Sequence, residues 1–255
     1  MSILDKVTMT GPKAPRITIY GKPGRGKSTL ASTFPKPLFL LTEEVGLLDI
    51  PHLPVVSSFD EMWSNIKLLL AEEDLPYKTI VIDSISKLDA LLVKYILDKE
   101  PPAKNGKAPT LNSACGGYGA GTLQAQAIYR GLKAHLDKFQ ERGIAVVYIS
   151  HYVSAKVRSP ESEDYDVASI VMNHDRSREV FIDDVDAVLF CKLKTYFVET
   201  EHGRTLAQST GERVIVTGSS DAYIAKNRYS MPPEIEQSFE EIAKYIPFYN
   251  QEIQE

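Results

Sequence analysis

The run Gly21-Lys22-Pro23-Gly24-Arg25-Gly26-Lys27-Ser28 decides how this chain is read. It fits G-x-x-x-x-G-K-[ST], a loop whose backbone N–H groups turn inward around an anion. The apolar stretch Ile17–Tyr20 leads into it as a strand, and Ser28 to Thr33 leads out as a helix that stops at Phe34-Pro35. Glycine supplies the backbone freedom such a cradle needs, and Pro23 fixes one φ before any ligand arrives. The start of the following helix, at Ser28 and Thr29, adds unpaired N–H groups and partial positive charge. In this pattern Lys27 reaches the β- and γ-phosphates of a nucleotide, and the Ser28 hydroxyl meets a magnesium ion. An ordinary glycine-rich turn is the alternative. Four fixed positions recur by chance in roughly one chain per hundred of this length, before the strand and helix context is counted.

Bulk properties bound the rest. The chain has 255 residues, with 43% hydrophobic and 25% charged content, ordinary for a globular α/β protein. Its 2 cysteines, Cys115 and Cys191, lie far apart and form neither a disulfide framework nor a zinc signature. The N-terminus has no signal-peptide layout and the apolar runs are too short to cross a bilayer, which predicts a cytoplasmic protein with no membrane partner. A net charge of −5 gives no support for a general nucleic-acid coat.

Strand patterns occur at 17–20, 38–41, 79–83, 144–150, 187–193, 213–217 and 222–226. Helical patterns occur at 59–73, 86–98 and 122–141. The alternation in the first half predicts a mostly parallel sheet covered on both faces. The last three strands read as an antiparallel extension. Residues 1–15 read as an arm and 16–255 as one domain. Two segments break the rhythm and read as long loops: Glu100 to Gly121, rich in Pro and Gly, and Val153 to Arg178, polar and charged.

Thr79-Ile80-Val81-Ile82-Asp83 reads as a buried strand ending in an acid, which places Asp83 beside the loop to share a cation with Ser28. The alternative is a solvated acid capping the next helix. Glu43 and Glu44 follow the strand at 38–41, where a carboxylate can polarise an attacking water, or simply lie in solvent. His151 ends the strand at 144–150, where it can touch a γ-phosphate or be a structural histidine. Lys226 and Arg228, two apart on a strand, share a face and form either a charge clamp on a phosphoryl group or a basic edge.

These residues together resemble a RecA-type ATPase. Thr79 to Ile85 is similar to the RecA Walker B strand, and Glu44-Val45-Gly46-Leu47 to the segment with the catalytic glutamate, so that the resemblance selects Glu44. His151 falls where RecA has a phosphate-sensing glutamine. Val185 to Phe190 and Ala225 to Arg228 resemble two motifs of RadA and DnaB-like proteins, in which the Lys/Arg pair reaches into the next subunit's site. The overall likeness, over most of 16–245, is to compact phage-encoded P-loop proteins of the RecA core, some of them assigned to the Sak group of single-strand annealing and recombination proteins. It implies an α/β RecA-like fold, ATP and Mg2+ as ligands, head-to-tail homo-oligomers, and action on single-stranded DNA in recombination or replication. The two long loops fall where RecA carries DNA-binding loops, which points to Lys104, Lys107, Lys156 and Arg158. The charge pattern adds nothing to that, since Glu161, Glu163, Asp164, Asp166 and Asp175 offset the second loop. Two rival functions are a nucleotide switch without motor activity and a P-loop small-molecule kinase whose lid lies near Arg176 and Arg178. A GTPase fits poorly, because Ser86-Lys87-Leu88-Asp89 comes too early and Asp83 lacks the following D-x-x-G glycine.

Overall fold

The computed structural model describes residues 5, 7, 11–46, 49–99, 110–157, 163–199 and 205–252. In chain order the elements are β1 (Arg16–Gly21), α1 (Lys27–Ser32), β2 (Pro37–Leu41), α2 (Phe59–Ala71), β3 (Thr79–Asp83), α3 (Ile85–Asp98), α4 (Ala120–Glu141), β4 (Ala145–Val157), β5 (Tyr165–Ile170), α5 (Asp175–Val180), β6 (Ala187–Glu199), β7 (Thr205–Val216), β8 (Lys226–Asn227), β9 (Glu234–Glu236), α6 (Phe239–Ala243) and α7 (Pro247–Glu252). The sheet runs β2-β3-β4-β1-β6-β7-β9, with β5 on β4 and β8 on β6. Strands β2, β3, β4, β1 and β6 are parallel, and the pairings of β5, β7, β8 and β9 are antiparallel.

Alternation along the parallel strands sends side chains to two cores. Leu38, Leu40, Ile80, Ile82, Val146 and Tyr148 face α2, α3 and α4. Ile17, Ile19, Phe39, Val81, Val147 and Leu189 face α1, α6 and α7. Both faces are covered, so these strands read as near-continuous apolar runs. Serines begin the helices next to the loops. Ser58, Ser84 and Ser238 each accept a backbone N–H from the first turn of α2, α3 and α6.

Three expectations need correction. The strand beginning at Ala187 belongs to the parallel core beside β1, not to the antiparallel extension. The α5 segment returns the chain to the amino end of the sheet before β6, which makes that connection a crossover rather than a hairpin. The described residues of 153–178 do not form one long loop. Val153, Ala155 and Val157 pair with Ser169, Val167 and Tyr165, and α5 follows, held to α4 where Gln126 donates to the Arg176 carbonyl at 3.1 Å. The polar residues of that segment hid a period-two pattern whose partner strand is itself half polar. The strand expected at 222–226 shrinks to β8. Tyr223 makes isolated bridges instead, and the Ile224 carbonyl accepts from the Tyr20 hydroxyl at 2.6 Å.

Candidate nucleotide site at the carboxyl ends of the parallel strands

The loop leaves β1 at Gly21, in register with His151 on β4 and Cys191 on β6. Gly24 and Gly26 have φ of 74° and 73°, a conformation that other residues adopt only with strain. The backbone therefore turns as the spacing of glycines predicts, and Lys27 begins α1. Lys27 is buried, and among the described residues its ammonium makes one long hydrogen bond, to the Lys22 carbonyl at 3.4 Å. Burial holds its pKa below the usual lysine value. Lys22 itself is exposed and lies 5.2 Å over the Tyr152 ring.

Asp83 ends β3, separated from β1 in the sheet by β4. Even so, the Ser28 hydroxyl donates to Asp83 Oδ2 at 2.5 Å. Burial raises the Asp83 carboxyl above the usual range, against the opposing Ser28 hydrogen bond. A cation beside it would reverse that. Magnesium keeps several waters and takes only one or two protein oxygens plus phosphates, so the Ser28 and Asp83 pair is the donor set it requires. Among the described residues, no cluster of His, Cys, Asp and Glu offers a metal a fuller protein cage.

The glutamate in the site is Glu43. Thr42 fixes it: its backbone N–H donates to the Asp83 carbonyl at 2.9 Å, and its hydroxyl donates to the Ser84 carbonyl and accepts the Ser84 N–H. These bonds lace the ends of β2 and β3. Glu43 Oε1 then accepts from the Ser84 hydroxyl at 2.5 Å and from His151 Nε2 at 2.8 Å. Burial would raise the Glu43 carboxyl, but the Ser84 and His151 contacts prevail and hold it below the usual value. Glu44 is exposed. The resemblance in sequence selected Glu44, one residue away from the carboxylate that meets His151. His151 is placed by Ser86, whose hydroxyl accepts its backbone N–H at 2.9 Å.

Lys226 and Arg228 stand at the other end of the strands. Lys226 lies opposite Val188, at the amino end of β6, and Ala187 there pairs with Ile17 at the start of β1. The Lys226 ammonium donates to the Ile182 and Asp183 carbonyls, and Arg228 pairs with Asp186 at 3.1 Å. The pair therefore does not line the loop of its own chain. Lys156 lies on β4, 3.8 Å from Asp164. Lys104, Lys107 and Arg158 lie outside the described residues. Asp89, the acid of the guanine-like pattern, is buried in α3 and accepts from Tyr129 at 3.0 Å and from the Asn173 backbone and side chain. It pins the turn before α5 and is not a base-reading group.

A family model described as an AAA domain matches residues 13–229. The chain belongs to this family. It is thus an AAA-type P-loop ATPase domain, and the loop, Ser28 and Asp83 all fall within the matched span. Solved structures similar to it include a RadB recombinase, at 15% identity over 80% of each chain and a TM-score of 0.44. The flagellar accessory protein FlaH from Methanocaldococcus jannaschii is 12% identical over 88% of this chain and 84% of that one, with a TM-score of 0.43. A KaiC-like protein from Pyrococcus horikoshii is 14% identical over 80% of this chain and 79% of that one, with a TM-score of 0.40. No curated protein matches. No helix among the described residues of this AAA-family chain is long and apolar enough to cross a membrane.

Ser84 belongs to the Walker B-like stretch that the sequence marks, and the structure adds its contacts: it caps α3 and donates to Glu43. One group at this site escaped the sequence reading. Gln237, far along the chain, donates to the Arg25 and Gly26 carbonyls at 2.7 and 3.2 Å, and nothing local marked it.

Proposed function

We propose that this protein binds Mg-ATP on residues 21–29 and hydrolyses it, assembling head to tail so that each protomer completes its neighbour's site. The observation that carries the reading is the Ser28 to Asp83 contact, an oxygen pair at the mouth of a preformed loop. Lys27 binds the β- and γ-phosphates. Ser28 and Asp83 hold the magnesium ion, which neutralises charge developing on the phosphates. Glu43 takes the proton of the attacking water or orients it, and His151, bonded to the same carboxylate, registers the γ-phosphate. Lys226 and Arg228, at the opposite end of the sheet from their own loop, serve as a clamp on a neighbour's nucleotide. Such a contact is heterologous, and it generates rings or filaments.

We further propose single-stranded DNA as the effector, in recombination, annealing or replication of the kind served by the Sak-type proteins its motifs resemble. Helix α4 packs along β4 and ends beside the start of that strand, so its own start lies toward the nucleotide end of the sheet. The glycine-rich turn before it carries Tyr118, fully exposed. An unburied aromatic ring there suits base stacking, which is tolerant of sequence.

The test is steady-state ATP turnover titrated with single-stranded DNA at stated salt, because such binding is strongly salt-dependent. Turnover that rises with DNA and vanishes in Lys27→Ala is expected. Full activity in Lys27→Ala would remove the loop from the mechanism, and indifference to DNA at low salt would remove the effector.

A further inference from the structure

A small cleft of about 120 Å3 opens where the loop passes into α1. Gly26, Thr29 and Thr33 form one wall, and Arg213, Gln237 and Phe239 form the other. The cleft is built onto the loop itself: a Cβ at Gly26 would stand 2.6 Å from Arg213 Nη1 and 3.0 Å from Gln237 Nε2. It lies on the β7 and β9 side of β1, away from Asp83 and Glu43.

Three features say what it would take. Gln237 Nε2 is committed to the Arg25 and Gly26 carbonyls, which only an amide N–H can serve, so the orientation of its amide is fixed. That leaves Oε1, buried and without a hydrogen-bond partner among the described residues, in need of a donor. Phosphate oxygens at neutral pH cannot supply one, whereas sugar hydroxyls and exocyclic amines can. Second, no ion pair engages the Arg213 guanidinium among the described residues, although it is exposed at the cleft. A flat cation of this kind stacks on aromatic rings. Third, Glu240 also lines the cleft, and its charge opposes a polyphosphate there but not an uncharged group.

We propose that this cleft receives the sugar and base of the nucleotide, with Arg213 stacked on the base and Gln237 Oε1 accepting a hydrogen bond from the nucleoside. The inference rests on the phosphates lying on residues 21–29. The C-terminal segment that supplies Gln237 then lines the nucleoside half, while the loop grips the phosphate half.

Binding of Mg-ATP and of magnesium tripolyphosphate, measured on wild type, Arg213→Ala and Lys27→Ala, separates the two halves. Arg213→Ala should weaken Mg-ATP about tenfold, as loss of a stacked cation does, and leave tripolyphosphate unchanged. Equal weakening of both ligands would make Arg213 a phosphate ligand and overturn the proposal, as would no weakening of either. Arg213→Lys keeps the charge but not the flat face and should behave as Arg213→Ala; wild-type affinity for Mg-ATP in that variant would overturn the stacking. Lys27→Ala should weaken both ligands. If it weakens neither, the phosphate reading fails by itself, whatever Arg213 does.

Discussion

Strand β1 carries a charged cluster at each end, and the two are built on opposite rules. At the amino end, Arg16 donates from its backbone and guanidinium to Asp186 and reaches Asp137 at 3.1 Å. Asp137 in turn takes Lys133, and Asp186 takes Arg228. Every charge in that cluster is answered within the chain. At the carboxyl end, Lys27 has one distant carbonyl, and Asp83 has one hydroxyl from a residue that would itself bind metal. Burial penalises both cations, yet the outcomes differ. Arg16 is held charged because its carboxylate partners outweigh burial, whereas Lys27 loses the contest and its pKa falls. In the proposed reading the partner that Lys27 lacks is a phosphate group arriving from outside. The amino end looks finished and the carboxyl end does not, and that asymmetry along six residues sets the proposed site apart. A cleft of about 570 Å3, larger than the one beside the loop, is in fact at the finished end, beside Arg16, Asp186 and Arg228.

Arg228 is the one member of the amino-end cluster that remains largely exposed, at 54% of its side chain. If it serves a neighbour's ATP, it breaks the tidy division between the two ends. Arg228→Ala should then bind ATP normally and turn it over on the order of a thousandfold more slowly, the scale of a missing arginine finger. Mixing it with Lys27→Ala should restore part of the turnover, because some interfaces then join an intact loop to an intact finger. Unchanged turnover in Arg228→Ala, or no recovery on mixing, would return Arg228 to a purely structural role with Asp186.

The carboxyl end can be sharpened at the adjacent glutamates. Glu43→Gln keeps the shape of the contacts to Ser84 and His151 but removes the base. Turnover should fall about a hundredfold or more while ATP still binds. Glu44→Gln, at an exposed position, should leave kcat near wild type. The reverse pattern in a paired kinetic measurement would show that the sequence register chose the better residue and the hydrogen bonds misled.

The parts legible in sequence are those that depend on short spacing. The loop, the acid-ended strand and the three long helices follow from patterns a few residues wide, and each element lies within about three residues of its expected ends. Glu43 against Glu44 was not decidable that way, since the choice depends on Thr42 lacing β2 to β3. Position 187–193 was misassigned because strand direction is set by how the chain returns, and α5 supplied a crossover hidden in a polar segment. Gln237 and Arg213 lie some two hundred residues from the loop they touch. No local pattern announces a contact made by closing so large a stretch of chain.

The finished end offers a smaller, thermodynamic test. Asp186 accepts four hydrogen bonds from Arg16 and Arg228. Burial would raise its carboxyl, but the bonds and charge of Arg16 win and hold it below the usual aspartate value. Hydrogen bonds to a charged group contribute roughly 2 kcal/mol, so Asp186→Asn should lower Tm by about 4–8 °C near neutral pH. The sign with pH follows from the lowered value. A carboxyl whose pKa is depressed in the fold stabilises fully above its unfolded value, near 3.9, and that stabilisation is lost as pH falls through the folded value. The gap between wild type and Asp186→Asn should therefore be constant from neutrality to about pH 5 and shrink below about pH 4. A gap that instead widens on acidification would mean that Asp186 is held protonated, and that the amino end of β1 is no better satisfied than the carboxyl end.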